Sequence, residues 1–155
     1  MTRRMALFVL LFASAAVPGA RGDRTGVRIC GTLEEAVPTP RGPILLVFFS
    51  TDCPACYDDL FEARYLIERS GWPVEVVGVF SGLRDDLRSF LEKYAWTLPV
   101  VLDRRRVLFK KFRVDAVPYK TLLVGGDAVY RDDPYKDHGR RREELQKCLR
   151  QMFFR

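Results

Sequence analysis

The chain has 155 residues, 48% hydrophobic and 30% charged, which suits one globular domain and is too short for two comfortable ones. Its net charge of +6 raises nucleic acid as a partner. The basic runs "DRRRVLFKKFR" and "HGRRREELQK" are mixed with acidic residues and lack interleaved exposed aromatics, so they read as solvated faces and nucleic acid is set aside.

The N-terminus, "MTRRMALFVLLFASAAVPGARGD", opens with Arg3 and Arg4 and continues as an uncharged apolar run from Met5 to Val17. Small residues follow, with Ala20 and Gly22 spaced like a cleavage site. Residues 1–22 are therefore expected to be a secretory signal peptide and residues 23–155 the working domain. An uncleaved anchor is the alternative, but the thirteen-residue run falls short of the roughly 20 that a spanning helix needs. Cleavage would remove three arginines and no acid, halving the net charge from +6 to +3. Export makes an oxidising compartment, periplasmic or otherwise extracytoplasmic, the expected location of all four cysteines.

Val27–Cys30 reads as a short strand, followed by a helix whose Thr32 and Glu35 have capping-box spacing. Ile44–Ser50 is an unbroken apolar run, as expected of a central strand covered on both faces. A helix should start at Pro54, carry Cys56, Leu60, Ala63 and Ile67 on one face, and stop at Ser70-Gly71. Val74–Phe80 is a second buried strand, Asp85–Ala95 an amphipathic helix, Leu98–Asp103 a strand and Arg106–Phe112 a short helix. Val117–Val124 and Ala128–Asp132 flank Gly125-Gly126-Asp127 as a hairpin. A last helix, about Arg140 to Phe154, carries Leu145, Cys148, Leu149 and Met152 at helical spacing. Strands alternating with helices predict an α/β domain, a mixed central sheet with helices on both faces.

Cys53 and Cys56 are the chemistry-bearing pair. Cys53 would cap the helix that follows the buried strand, where unpaired amides and the positive helix end favour a thiolate; Cys56, one turn on, can close a disulfide with it. Cys53 is then the nucleophile and Cys56 the resolving thiol. A zinc site would need two more ligands, and no second paired set exists, so no metal is expected. A structural staple is equally unfavoured, because so short a loop removes little chain entropy.

The stretch "VFFSTDCPACYDDL", with the later "WTLPVVLDRRRVLFKKFRVDAVPYKTLLV", resembles the thioredoxin superfamily, particularly its exported TlpA- and ResA-like thiol-disulfide oxidoreductases. The resemblance implies a thioredoxin fold over about residues 27–154, no cofactor, and a monomer. It also implies that Pro118 is a cis-proline facing the dithiol and that Val117 lends its backbone to a bound substrate chain. Asp59 matches a family carboxylate that takes the proton of the buried thiol, although the usual residue there is Glu. Asp58 and Asp59 acting only on the helix N-terminus is the competing reading.

Two departures are notable: Asp52 replaces the usual aromatic before the first cysteine, and Tyr119 the usual Thr after the proline. Asp52 opposes the thiolate, which favours a reductant or isomerase over a primary oxidase. A peroxiredoxin pattern would require Pro and Thr where the chain has Leu46 and Ser50. Disulfide-containing exported proteins, apocytochrome c among them, and a membrane thiol donor are the implied partners. The rival class is a redox-inactive binding, chaperone or metal-handling module on the same fold. Cys148 reads as a core thiol that could pair with Cys30, and His138 as a surface loop histidine.

Overall fold

The computed structural model describes residues 26–154; the expected signal peptide and its cleavage site lie outside the described residues. Four strands run parallel: β1 (Ile29–Cys30), β2 (Ile44–Phe49), β3 (Glu75–Phe80) and β4 (Val100–Leu102). The hairpin β5 (Tyr119–Val124) and β6 (Asp127–Arg131) joins antiparallel to β2. The six strands lie in the order β1-β4-β3-β2-β5-β6, with β2 and β3 central.

Among the described residues, five helices connect and cover them: α1 (Leu33–Ala36), α2 (Pro54–Ser70), α3 (Arg84–Lys93), α4 (Val107–Phe112) and α5 (His138–Phe153). Because side chains alternate along a strand, β2 feeds both sides of the sheet. Leu45, Val47 and Phe49 pack with residues of α2, α3 and α5. Leu46 and Phe48 pack with α1 and α4. This two-sided burial is why the run carries no polar alternation.

Local chemistry sets the boundaries. Pro54 occupies the first turn of α2, where its missing N–H is no loss, and Gly71 ends the helix at φ 67°. Gly125 and Gly126 both take positive φ, as the tight hairpin requires. Thr32 Oγ1 accepts from the Glu35 amide at 3.2 Å, and Glu35 Oε2 accepts from the Gly31 amide at 2.6 Å. The reciprocal cap of α1 thus closes one residue earlier than the usual box.

The structure shifts several expected ends. β5 starts at Tyr119 rather than Val117, since Pro118 has no amide to give a ladder; the Val117–Pro118 peptide is cis. α5 starts at His138 rather than Arg140, because Asp137 Oδ1 accepts from the Arg140 amide at 2.9 Å and caps the helix two residues earlier. Cys30 and Cys148 are free thiols rather than a pair. Burial pushes both thiols up from their ordinary titration range. No helix among the described residues is long and apolar enough to cross a membrane.

Candidate active site

β2 ends at Phe49 and the chain turns directly into α2, so the two cysteines stand at the helix N-terminus. Cys53 is the N-cap, with Sγ accepting the Cys56 amide hydrogen at 3.2 Å. An N–H directed at sulfur, together with the helix dipole, favours negative charge on Cys53 when the pair is reduced. Cys53 and Cys56 form a disulfide across a Cα separation of 5.3 Å. Cys56 is completely buried, whereas Cys53 is partly exposed. A partner can therefore reach the first sulfur and not the second. Asp52 is exposed beside it. Val117 is half-buried and Pro118 buried.

One turn past Cys56 stands a group that the helix pattern alone did not announce as buried. Asp59 is fully inaccessible. Its Oδ2 accepts from Lys120 Nζ at 2.8 Å and from Arg141 Nη2 at 2.9 Å. The strand alternation that sends Tyr119 towards Phe48 sends Lys120 to the opposite face, where α2 and α5 meet. Arg141 also binds the carbonyl of Pro118 at 2.8 Å and the carboxylate of Asp132. The cluster thus ties α2, β5 and α5 to the proline that precedes β5.

Asp59 and Asp132 balance Lys120 and Arg141, two buried charges against two. Burial alone would raise the Asp132 carboxyl. The hydrogen bond from Arg141 and the charges of Lys120 and Arg141 outweigh it and hold the group below the usual carboxylate range. Tyr130 Oη donates to Asp132 Oδ1 at 3.0 Å. Burial first, then the Asp132 charge, drives the Tyr130 phenol far above its ordinary range.

His138 corrects the surface-loop expectation. It is the first residue of α5, and its Nε2 lies 2.8 Å from Asp59 Oδ1 and 2.9 Å from Glu62 Oε2. Arg142 Nη1 reaches the other Glu62 oxygen at 3.0 Å. Asp59, for which the sequence left open a proton-accepting role or a helix-end role beside Asp58, is the hub of this array, while Asp58 is exposed.

Lys120, Asp132, Arg141 and Glu62 were missed by the sequence reading. A signal existed for two of them. Lys120 puts a charge in a mostly apolar strand, and Arg141 stands four residues before Leu145 on the stripe that α5 buries. A charge at a core position implies a buried partner.

The geometry is matched by similarity. The AhpC/TSA family model matches residues 32–129. No curated protein sequence matches the chain. Among solved structures, StoA from Bacillus subtilis is 20% identical with TM-score 0.58, covering 72% of this chain and 85% of its own. The pneumococcal exposed lipoprotein thioredoxin from Streptococcus pneumoniae is 18% identical with TM-score 0.58, covering 70% and 84%. A secreted Mycobacterium tuberculosis disulfide oxidoreductase is 19% identical with TM-score 0.55, covering 70% and 80%. At these identities the structures establish the thioredoxin fold, and the family match over most of the described residues establishes descent. The chain belongs to the AhpC/TSA family of thioredoxin-like oxidoreductases.

Proposed function

We propose that the protein is an exported thiol-disulfide oxidoreductase that reduces or isomerises disulfides of extracytoplasmic proteins through Cys53 and Cys56. The observation that carries this reading is the asymmetry of the pair: Cys53 is partly exposed and takes an amide hydrogen bond, while Cys56 is sealed.

In the reduced enzyme the Cys53 thiolate attacks one sulfur of a substrate disulfide. A bond from Cys53 to that sulfur forms, the substrate S–S bond breaks, and the other substrate sulfur leaves as a thiolate. Cys56, on losing its proton, then attacks Cys53, closing the enzyme disulfide and releasing the second substrate thiolate. Two electrons and two protons pass from enzyme to substrate. A thiol donor must return them, and a membrane donor suits an exported chain.

Val117 completes the proposed site by lending its backbone to an extended substrate segment, beside the cis-proline Pro118. Asp59 stands one turn behind Cys56, held by Lys120 and Arg141, at the position where the resemblance implies a carboxylate that takes the proton of the buried thiol. Asp52 beside Cys53 offsets part of the thiolate stabilisation, which supports a reducing rather than oxidising role. Exported disulfide proteins, with apocytochrome c one candidate, are the substrate class.

Family membership also brings a peroxidase reading, but Leu46 and Ser50 stand where the peroxidatic pattern needs Pro and Thr, and this supports the dithiol route. The test is turnover of a small disulfide by wild type and by Cys53→Ser. Turnover is expected to vanish in the variant; equal rates in both would overturn the enzyme reading and favour the binding module.

A further inference from the structure

We propose that Asp59, Glu62 and His138 form a binding site for one divalent transition-metal ion, with zinc the best match to the donors. One ligand atom from each residue lies within 4.8 Å of the others, and His138 Nε2 is 2.8 Å from Asp59 Oδ1 and 2.9 Å from Glu62 Oε2. They come from two adjoining helices, α2 and α5, with Asp59 and Glu62 one turn apart on the first.

Asp59 Oδ1 is the independent pointer. It is a carboxylate oxygen on a fully buried side chain, and it accepts no hydrogen bond. His138 Nε2 is only 2.8 Å away, close enough for an ion pair, yet the two lack hydrogen-bond geometry. A buried carboxylate oxygen left in this way is costly, and a cation between it, Oε2 and Nε2 would satisfy all three atoms.

The remaining oxygens support the same assignment. Asp59 Oδ2 is held by Lys120 and Arg141, and Glu62 Oε1 by Arg142. Each carboxylate therefore spends one oxygen on protein donors and presents the other to the gap. Outer hydrogen bonds and ion pairs of this kind orient metal-binding carboxylates.

One imidazole and two carboxylates suit zinc, whose ligands sit at about 2.0–2.2 Å and leave a fourth, open position. Tetrahedral ligands at that distance are roughly 3.4 Å apart, so loading would part Nε2 from the two oxygens by only about half an ångström. The three neighbouring cations oppose an added positive charge, which sets the affinity below that of a structural zinc site. His138, half exposed, is the side open to an arriving ion. No step of the proposed disulfide exchange uses this ion, so the two proposals can fail separately.

The experiment is a titration of the oxidised full chain with zinc chloride by isothermal calorimetry, with elemental analysis of the loaded protein. Oxidation closes Cys53 and Cys56 to zinc. A Cys30→Ala/Cys148→Ala variant removes the free thiols. His138→Gln and Glu62→Gln remove ligands at partly exposed positions, and circular dichroism checks that each folds. One zinc per chain is expected, with affinity kept in the cysteine variant and reduced at least tenfold in both ligand variants. No saturable binding by wild type, binding unchanged in His138→Gln, or binding lost with the free cysteines would each overturn the site. Any of these would leave His138 as a side chain packed between two carboxylates, with no metal role.

Discussion

The two faces of the sheet are built from the same strands and serve different ends. Against α1 and α4, Phe48 meets Phe109, Phe112 and Tyr119 edge-on at centroid distances of 5.0, 6.1 and 5.9 Å. Against α2 and α5 the neighbouring strand positions deliver Lys120 to Asp59, beside an otherwise apolar cluster that includes Cys56, Leu60 and Leu149. One register step in β5 separates an aromatic contact from a buried ion pair. The difference teaches that the charged cluster occupies the face the dithiol helix covers, and that the opposite face is stabilised by packing.

The largest expected effect is on the charged face. Arg141→Met leaves Lys120 as the one buried lysine or arginine beside Asp59 and Asp132 among the described residues, and breaking a buried charge network of this kind costs about 3–5 kcal/mol. Urea unfolding measures it, and adding Asp132→Asn should restore part of the loss by removing the surplus anion. A fall below about 1 kcal/mol would mean that the cluster behaves like a surface pair and that the contrast between the faces is false. On the packed face, Leu46→Ala should cost about 2–5 kcal/mol through lost contacts and a cavity. It should leave the Cys53–Cys56 equilibrium with glutathione unchanged.

These two faces were unequally legible in the sequence. Apolar periodicity located the strands and helices to within a few residues, because burial on both sides of β2 and β3 leaves an uninterrupted signature. The Cys53–Cys56 spacing after such a strand marked the dithiol. The ion cluster was not legible as a unit, because Asp59 is 61 residues from Lys120 and 82 from Arg141 and meets them only after the sheet orders β5 beside β2. His138 was read as a loop residue because Gly139 follows it. The Asp137 cap overrides that local signal and turns the imidazole onto α2.

Acid should separate the faces next. Asp132 titrates below its ordinary value in the folded protein, so its contribution is present above the unfolded carboxylate value and is lost as pH falls through the lower folded one. Thermal melts between about pH 6 and pH 2 should show stability falling below about pH 4. Asp132→Asn should be less stable near neutrality and flatter in that acid window. An unchanged slope would move the acid sensitivity to other carboxylates.

The smallest effect concerns α1, which closes the packed face with only four residues. So short a helix cannot hold itself by its own hydrogen bonds; it depends on Ala36 packing in the second core and on the reciprocal contacts of Thr32 and Glu35. Thr32→Ala removes one acceptor and should cost about 1 kcal/mol, a lowering of the melting temperature by roughly 2–4 °C for a domain of this size. If α1 serves packing alone, zinc affinity and dithiol equilibrium will both stay at their wild-type values. A change in either would show that the α1 face communicates with the charged one across the sheet, and the division between a structural and a working face would have to be abandoned.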